Sequence, residues 1–321
     1  MGKPTVLVTR EIPRDGIALL EEHFTVETNA DDHPYTPEEL ARRAAGKDAL
    51  VTLLTDKITD ALLSACPTLK IVANVAVGYD NIDVPAARKR GVYVTNTPGV
   101  LTDATADFAF TLLLAATRRI GEADRFVRAG RFDGWQMMGF HGGDIAGRTL
   151  GIAGFGRIGQ AVAQRARGFG LHVIYSDERP ISAEIENAFG ARYVDKTTLV
   201  RESDFLSLHV PYLPTTHHYL STAEFAAMKQ SAYIVNTSRG PVVDEAALAH
   251  ALKTGEIRGA GLDVFEREPS VHPDLIGLDN VTLAPHIASA TVETRKKMAL
   301  IAAENVVAAL HGSVPPNSLE H

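Results

Sequence analysis

The chain has 321 residues, 45% of them hydrophobic and 22% charged, with a net charge of −7 and a single cysteine. That length exceeds what one small core organises and implies two domains of ordinary globular composition. The negative charge argues against nucleic-acid and anionic-membrane partners, and the lone Cys66 excludes an intrachain disulfide, so a cytoplasmic protein is expected.

Targeting signals are not evident. The longest apolar run, residues 108–116, is broken by Thr111 and falls far short of the roughly 20 residues of a membrane span. Val6 stands where a myristoylation signal requires Ser or Thr. Residues 319–321, Leu-Glu-His, read as an expression-tag scar and are set aside from the fold. Cys66, followed by Pro67 at the close of a helical pattern, reads as core filler.

In chain order, β-type runs are predicted at residues 5–9, 49–54, 71–75 and 92–94, with helical patterns at 16–23, 37–45 and 58–65. This βα series implies a parallel sheet covered on both faces. Thr97-Pro98-Gly99 punctuates the chain. Thr102 is then placed to cap a long helix with Asp103 in its first turn. The helix is apolar nearly all round over 108–116, so it is expected to be buried, with a second subunit as one candidate for its cover. A stretch rich in glycine and aromatics, 130–143, leads to a second βα series.

That series opens with a strand at 149–153 running into Gly154-Phe155-Gly156-Arg157-Ile158-Gly159. A helix follows over 160–169 and stops at Gly170, then a strand over 172–176 with Asp177 at its end, 23 residues after Gly154. A GxGxxG alone is weak evidence. With the strand before it, the helix after it and an acid at this distance, it reads as a dinucleotide fingerprint. Gly154 permits the tight turn, Gly156 the approach of a pyrophosphate, and Gly159 the packing of helix on sheet. The helix N-terminus faces the phosphates. Asp177 is expected to accept hydrogen bonds from the adenosine ribose and repel a 2′-phosphate, so NAD is favoured over NADP; Arg179, two residues on, is the opposing feature.

Further strands are predicted at 205–209, 232–236, 259–262 and 281–284. The loops after them carry His209, Arg239, Asp263 and His286. In a parallel sheet all four open on one edge, where open α/β folds place their chemistry. Arg239, Glu268 and His286 supply a cation, a carboxylate and an acid/base, the set needed for moving a hydride and a proton at the carbonyl of an α-keto acid. No metal-ligand set is expected.

The whole chain resembles the D-isomer-specific 2-hydroxyacid dehydrogenases, of the glyoxylate/hydroxypyruvate reductase branch. The resemblance rests on Asn74-Val75-Ala76-Val77-Gly78-Tyr79-Asp80-Asn81-Ile82-Asp83 together with residues 154–159, 235–240, 261–269 and 285–289. It implies an α/β protein of two Rossmann-like domains. One is a flavodoxin-like substrate domain of residues 1–99 completed by 288–318, where 288–310 reads as one long helix. The other is a doubly wound, parallel-sheet NAD-binding domain of residues 100–287 that includes the interdomain, dimer-forming helix. A homodimer acting on a small 2-keto or 2-hydroxy acid is implied.

The resemblance also assigns roles. Arg239 pairs with the substrate carboxylate and polarises the keto oxygen; His286 is the acid/base; Glu268 orients the imidazole and favours its charged form. The N–H groups of Val77 and Gly78 form a second hold on the carboxylate. Asp263 faces the nicotinamide carboxamide, and Thr105 touches the cofactor. Further cofactor contacts are implied at Arg157, Ile158, His209, Pro211, Thr215, Thr237, Ser238, Arg239, His286 and Ala288. Trp135 falls where related reductases reach into a neighbouring subunit's site, although Met137-Met138-Gly139 beside it departs from the pattern. Leu53, Leu54, Leu101 and Trp135 are candidates for shaping specificity.

Departures from sister groups narrow the activity. Glu268 stands where formate dehydrogenases have glutamine, and the lysine that phosphonate dehydrogenases carry near Val77 is absent. A short-form D-3-phosphoglycerate dehydrogenase stays open as an alternative. So does a binding protein of another class, the NAD-sensing corepressors, which retain the Arg, Glu and His.

Overall fold

The computed structural model describes residues 2–319; of the residues read as a tag scar, 320 and 321 lie outside the described residues. The chain forms two compact units. One comprises the described residues up to Leu101 together with those from Ser289 onward; the other is Thr102–Ala288.

The first unit opens with β1 (Thr5–Val8), α1 (Arg14–His23), β2 (Thr25–Thr28), α2 (Pro37–Ala44), β3 (Ala49–Thr52), α3 (Asp60–Ala65), β4 (Ile71–Asn74), α4 (Val84–Lys89) and β5 (Tyr93–Thr95). Its five strands are all parallel in the order β2-β1-β3-β4-β5, the flavodoxin-type order. β3 and β4 are buried on both faces, which is why they read as unbroken apolar runs. Side-chain caps start the helices: Thr36 accepts from Glu39 N–H, Thr59 from Leu62 N–H and Asp83 from Ala86 N–H.

The second unit comprises α5 (Thr102–Thr117), α6 (Ile120–Arg128), β6 (Thr149–Ala153), α7 (Arg157–Gly168), β7 (His172–Ser176), α8 (Ala183–Phe189), β8 (Ala191–Tyr193), α9 (Lys196–Glu202), β9 (Phe205–Leu208), α10 (Thr222–Ala227), β10 (Tyr233–Asn236), α11 (Glu245–Thr254), β11 (Gly259–Leu262), α12 (Pro273–Ile276) and β12 (Val281–Leu283). Its seven parallel strands are ordered β12-β11-β10-β9-β6-β7-β8. The strand order reverses between β6 and β9, so the crevice of this doubly wound sheet lies beyond the C-terminal end of β6.

The last helix, α13 (Val292–Leu310), returns to the first unit and packs on α1, β3 and β4. Gly16 of α1 lies directly against Ala299, and a Cβ there would stand 2.8 Å from the Ala299 carbonyl oxygen. The tail then adds to the sheet edge. Ser318 bridges Thr95, and Leu319 donates its N–H to the Val94 carbonyl at 2.8 Å. Leu319, set aside from the sequence, therefore belongs to the fold.

Several boundaries differ from the sequence reading. Thr102 is the first helical residue of α5 rather than its cap. α13 begins at Val292, four residues later than expected, because Thr291 caps it by accepting from Thr294 N–H. The apolar girth of α5 is taken up largely by its own unit: Ala106, Ala109, Phe110, Leu112 and Leu113 are buried in a cluster with residues of β6, α7 and β10. Among the described residues no helix is long and apolar enough to cross a membrane.

Candidate active site

The glycine loop shows why three glycines are needed. Gly154 has φ +87°, and a Cβ on it would lie 2.7 Å from the His209 carbonyl carbon and oxygen. A Cβ on Gly159 would collide with the carbonyl oxygen of Gly154. Gly156, the N-cap of α7, is different, because nothing of the protein lies within 4 Å of its missing Cβ. Its backbone is open to approach. Arg157 is exposed and Ile158 half-buried beside it.

Asp177 directly follows β7 and is half-buried. Its carboxylate accepts the N–H of Phe155, inside the glycine loop, at 2.6 Å, and that of Glu178 at 2.7 Å. The acid is therefore held against the loop it follows by 23 residues. Arg179 is exposed.

After β9, His209 pairs through Nε2 with Ser207 Oγ at 2.8 Å. Burial pushes its pKa down to about 3, which keeps the ring neutral at physiological pH. Pro211 and Thr215 lie exposed on the same loop. After β10, the buried side chain of Asn236 shapes the turn: Nδ2 donates to the Arg239 carbonyl at 2.9 Å, and Oδ1 accepts from Ser238 N–H at 3.0 Å and Ser238 Oγ at 2.9 Å. Thr237 is buried in this turn, and its hydroxyl has no hydrogen-bond partner among the described residues. An open backbone at Gly156 and an orphaned hydroxyl at Thr237, both at strand ends along one edge of the sheet, fit a bound dinucleotide.

Glu268 and His286 meet. The Glu268 carboxylate takes the imidazole Nδ1 at 2.9 Å and the N–H of Phe265 at 3.0 Å. A carboxylate only accepts, so Nδ1 carries the proton and Nε2 is left to face a reactant. Burial pushes the Glu268 carboxyl up. The His286 hydrogen bond and charge, the Phe265 N–H and the Arg239 charge together outweigh it and hold the group below its ordinary range. The pull from Arg239 sets the three residues in one electrostatic cluster.

Asp263 holds the loop that carries His286. It is fully buried at the end of β11, and its two carboxylate oxygens accept Ile287 N–H at 2.7 Å and Ala288 N–H at 2.8 Å. Its carbonyl accepts His286 N–H at 2.8 Å. His286 sits at φ +56°, a left-handed conformation uncommon for a residue with a side chain. Both carboxylate oxygens of Asp263 are thus engaged with the His286 loop. Nothing in the sequence marks this clamp, which forms between residues more than twenty positions apart.

A second arrangement missed in the sequence supports Glu268. Glu245, buried at the start of α11, accepts Glu266 N–H at 2.7 Å and His272 N–H at 3.2 Å. Burial pushes its carboxyl up, against these two bonds. His218 reaches Glu266 Oε1 through Nε2 at 3.1 Å. Gly240 lies under the backbone of Phe265, so the loop bearing Glu268 is seated on a glycine.

The remaining candidates are more dispersed. Thr105 is buried in the first turn of α5, and Trp135 is 79% exposed between α6 and β6. Leu54, Val77 and Gly78, in the first unit, are half-buried in loops after β3 and β4. Among the described residues no group of His, Cys, Asp and Glu could hold a metal ion.

Residues 110–288 match the family described as D-isomer specific 2-hydroxyacid dehydrogenase, NAD binding domain. A glyoxylate reductase of Thermococcus litoralis is 53% identical over 98% of this chain and 96% of its own length. The crystal structure of a glyoxylate reductase from Paecilomyes thermophila superposes with a TM-score of 0.88 at 32% identity, covering 99% of both chains. That of an NADPH-dependent glyoxylate/hydroxypyruvate reductase from Sinorhizobium meliloti, in complex with NADP and malonate, gives 0.86 at 33% identity over 99% of this chain and 97% of that one.

Gly240→Ala is expected to destabilise the second unit by on the order of 1–3 kcal/mol, the usual cost of overpacking. The new methyl group would be forced into the Phe265 backbone and displace the Glu268 loop. A denaturant titration unchanged from wild type would contradict the close seating.

Proposed function

The chain belongs to the D-isomer-specific 2-hydroxyacid dehydrogenase family, and from that premise we propose that it reduces glyoxylate or hydroxypyruvate, with NADH preferred over NADPH. The observation that carries this reading is the 2.9 Å Glu268–His286 pair within the field of Arg239, at the edge of the sheet that bears the glycine loop. The names of the relatives, glyoxylate reductase and glyoxylate/hydroxypyruvate reductase, support the choice of substrate.

A bound nicotinamide supplies the hydride. Gly156, at the N-terminus of α7, would let its pyrophosphate approach the backbone, Gly154 and Gly159 hold the tight turn and the helix packing that leave it room, and Thr237, Ser238, His209 and Pro211 line the same edge. Asp177 hydrogen-bonds the adenosine ribose and disfavours a 2′-phosphate. The Sinorhizobium reductase holds NADP, and Arg179 is the residue here that would oppose Asp177.

The guanidinium of Arg239 binds the substrate carboxylate in a fork and polarises the keto oxygen. The N–H groups of Val77 and Gly78, in the first unit, are a second candidate hold for a substrate carboxylate. His286 Nε2 donates its proton to the keto oxygen as the carbon is reduced, giving the D-alcohol where that carbon is chiral. Glu268 holds the ring by Nδ1 and stabilises its charged form. A homodimer is inferred from the exposed apolar segment around Phe132, Trp135, Met137 and Met138, which a second copy would cover. The single cysteine, Cys66, is buried and in no disulfide, in keeping with the cytoplasm.

Purified protein is expected to oxidise NADH with glyoxylate or hydroxypyruvate; failure with every 2-keto acid in a panel that includes pyruvate, 2-oxoisocaproate and 3-phosphohydroxypyruvate overturns the reading. In His286→Ala the rate should fall by on the order of 10² to 10⁴ while NADH still binds.

Asp177→Ala should narrow the preference for NADH over NADPH, measured as the ratio of kcat/KM values. A wild type that already prefers NADPH shifts the assignment to Arg179.

Glu268→Gln removes a negative charge 2.9 Å from the imidazole. The amide can still accept from Nδ1 but carries no charge to balance a proton on the ring, so kcat for glyoxylate reduction should fall while NADH affinity stays unchanged. An unchanged kcat would mean that the carboxylate has no part in the reaction.

A further inference from the structure

We infer that Asn96 and Asn74 are positioning residues that turn the peptides of the Val77–Gly78 loop so that its N–H groups form an anion-binding nest; this rests on the role proposed above for that loop.

The geometry is set by planar trans peptides, in which a carbonyl and the following N–H point in opposite directions. Three successive carbonyls of the loop are held by the body of the first unit. The Ala76 carbonyl accepts Thr97 N–H at 2.8 Å. The Val77 carbonyl accepts Asn96 Nδ2 at 2.8 Å. The Gly78 carbonyl accepts Asn74 Nδ2 at 2.9 Å. The N–H of Val77 must then point away from Thr97, that of Gly78 away from Asn96, and that of Tyr79 away from Asn74. No acceptor among the described residues takes the N–H of Val77 or Gly78. Consecutive N–H groups turned away from these pins and left without an acceptor are donors available to an anion.

The pins are themselves fixed. Asn74, Asn81 and Asn96 are at most 8% exposed. Asn74 Oδ1 accepts Thr52 Oγ1 at 3.1 Å, and Asn74 Nδ2 also reaches Asn81 Oδ1 at 3.3 Å. Asn81 Nδ2 donates to the carbonyls of Leu53 at 3.1 Å and Asp56 at 2.9 Å. Asp56, also buried, accepts Thr9 Oγ1 at 2.6 Å and Leu53 N–H at 2.8 Å. A carbonyl can only accept, so amide nitrogens must face Val77 and Gly78, which settles the orientation of both side chains. An apolar residue at 74 or 96 would fill the space equally well and would leave the carbonyl unpinned. The chemistry favoured by the nest is a small carboxylate, since two N–H groups match two oxygens.

The test is Asn96→Ala, which removes one pin without touching the substrate-binding N–H groups. Loss of one net hydrogen bond predicts about a tenfold rise in KM for glyoxylate. The KM for NADH should be unchanged and kcat should fall much less than KM rises. Oxalate titrated calorimetrically into the NADH-bound protein should bind about tenfold more weakly to the variant than to wild type. Equal oxalate affinity overturns the positioning role, as do a wild type that binds no oxalate and a parallel loss of NADH affinity. If wild type binds oxalate in an Asn96-dependent way yet turns over no 2-keto acid, the functional reading fails and the nest stands. If Asn96→Ala does not fold, Asn96→Thr carries the same comparison.

Discussion

The carboxylate of Asp263 is fully buried, yet both its oxygens accept backbone N–H groups from the loop after β12. Burial raises its pKa, and these bonds oppose the rise. Bonds from neutral donors to a charged acceptor contribute about 1.5–3 kcal/mol each, which offsets part of the desolvation. The result is a short bridge between two parallel strands that hold neighbouring positions in the sheet. Everything proposed for His286 depends on that bridge. The residue lies just past the end of β12 in a left-handed conformation, and such backbone persists only where its surroundings over-determine it. The Asp263 carbonyl and carboxylate together fix three consecutive N–H groups, those of His286, Ile287 and Ala288.

The Glu268 side is built on the same logic with different groups. A buried carboxylate, Glu245, accepts N–H groups from the loop, and a glycine admits that loop against the end of β10. The imidazole and its partner thus arrive from two separately anchored loops. A pair held at 2.9 Å by independent supports loses little conformational entropy when a reactant binds.

Much of this was legible in the sequence, and the reasons are physical. Buried parallel strands produce unbroken apolar runs, so β6, β7 and β11 were predicted at their observed bounds. The glycine fingerprint and the order of the loops followed from spacing. What escaped was mostly short, polar or non-local, although α6 and α11, of 9 and 10 residues, were not predicted either. β2 is an edge strand of sequence Thr-Val-Glu-Thr, with no apolar run to mark it. α4 is hidden by Pro85 at its start, and α8, α9 and α10 span only two turns or less. The supports at Asp263, Glu245, Asn96 and Asn236 are acids and amides that gain partners only through folding. Read one at a time, such residues resemble any solvated loop residue.

The seating of α13 against Gly16 sets the order in which the protein can complete itself. The 102–288 unit is continuous in the chain and holds every strand of its sheet. The first unit has all five strands by residue 95, but the helix that covers β3 and β4 is made last. During synthesis the earlier-made sheet must therefore wait, with apolar surface uncovered, while nearly two hundred residues emerge behind it. The unit that begins later is the one able to finish first, the reverse of the usual N-terminal-first succession of domains.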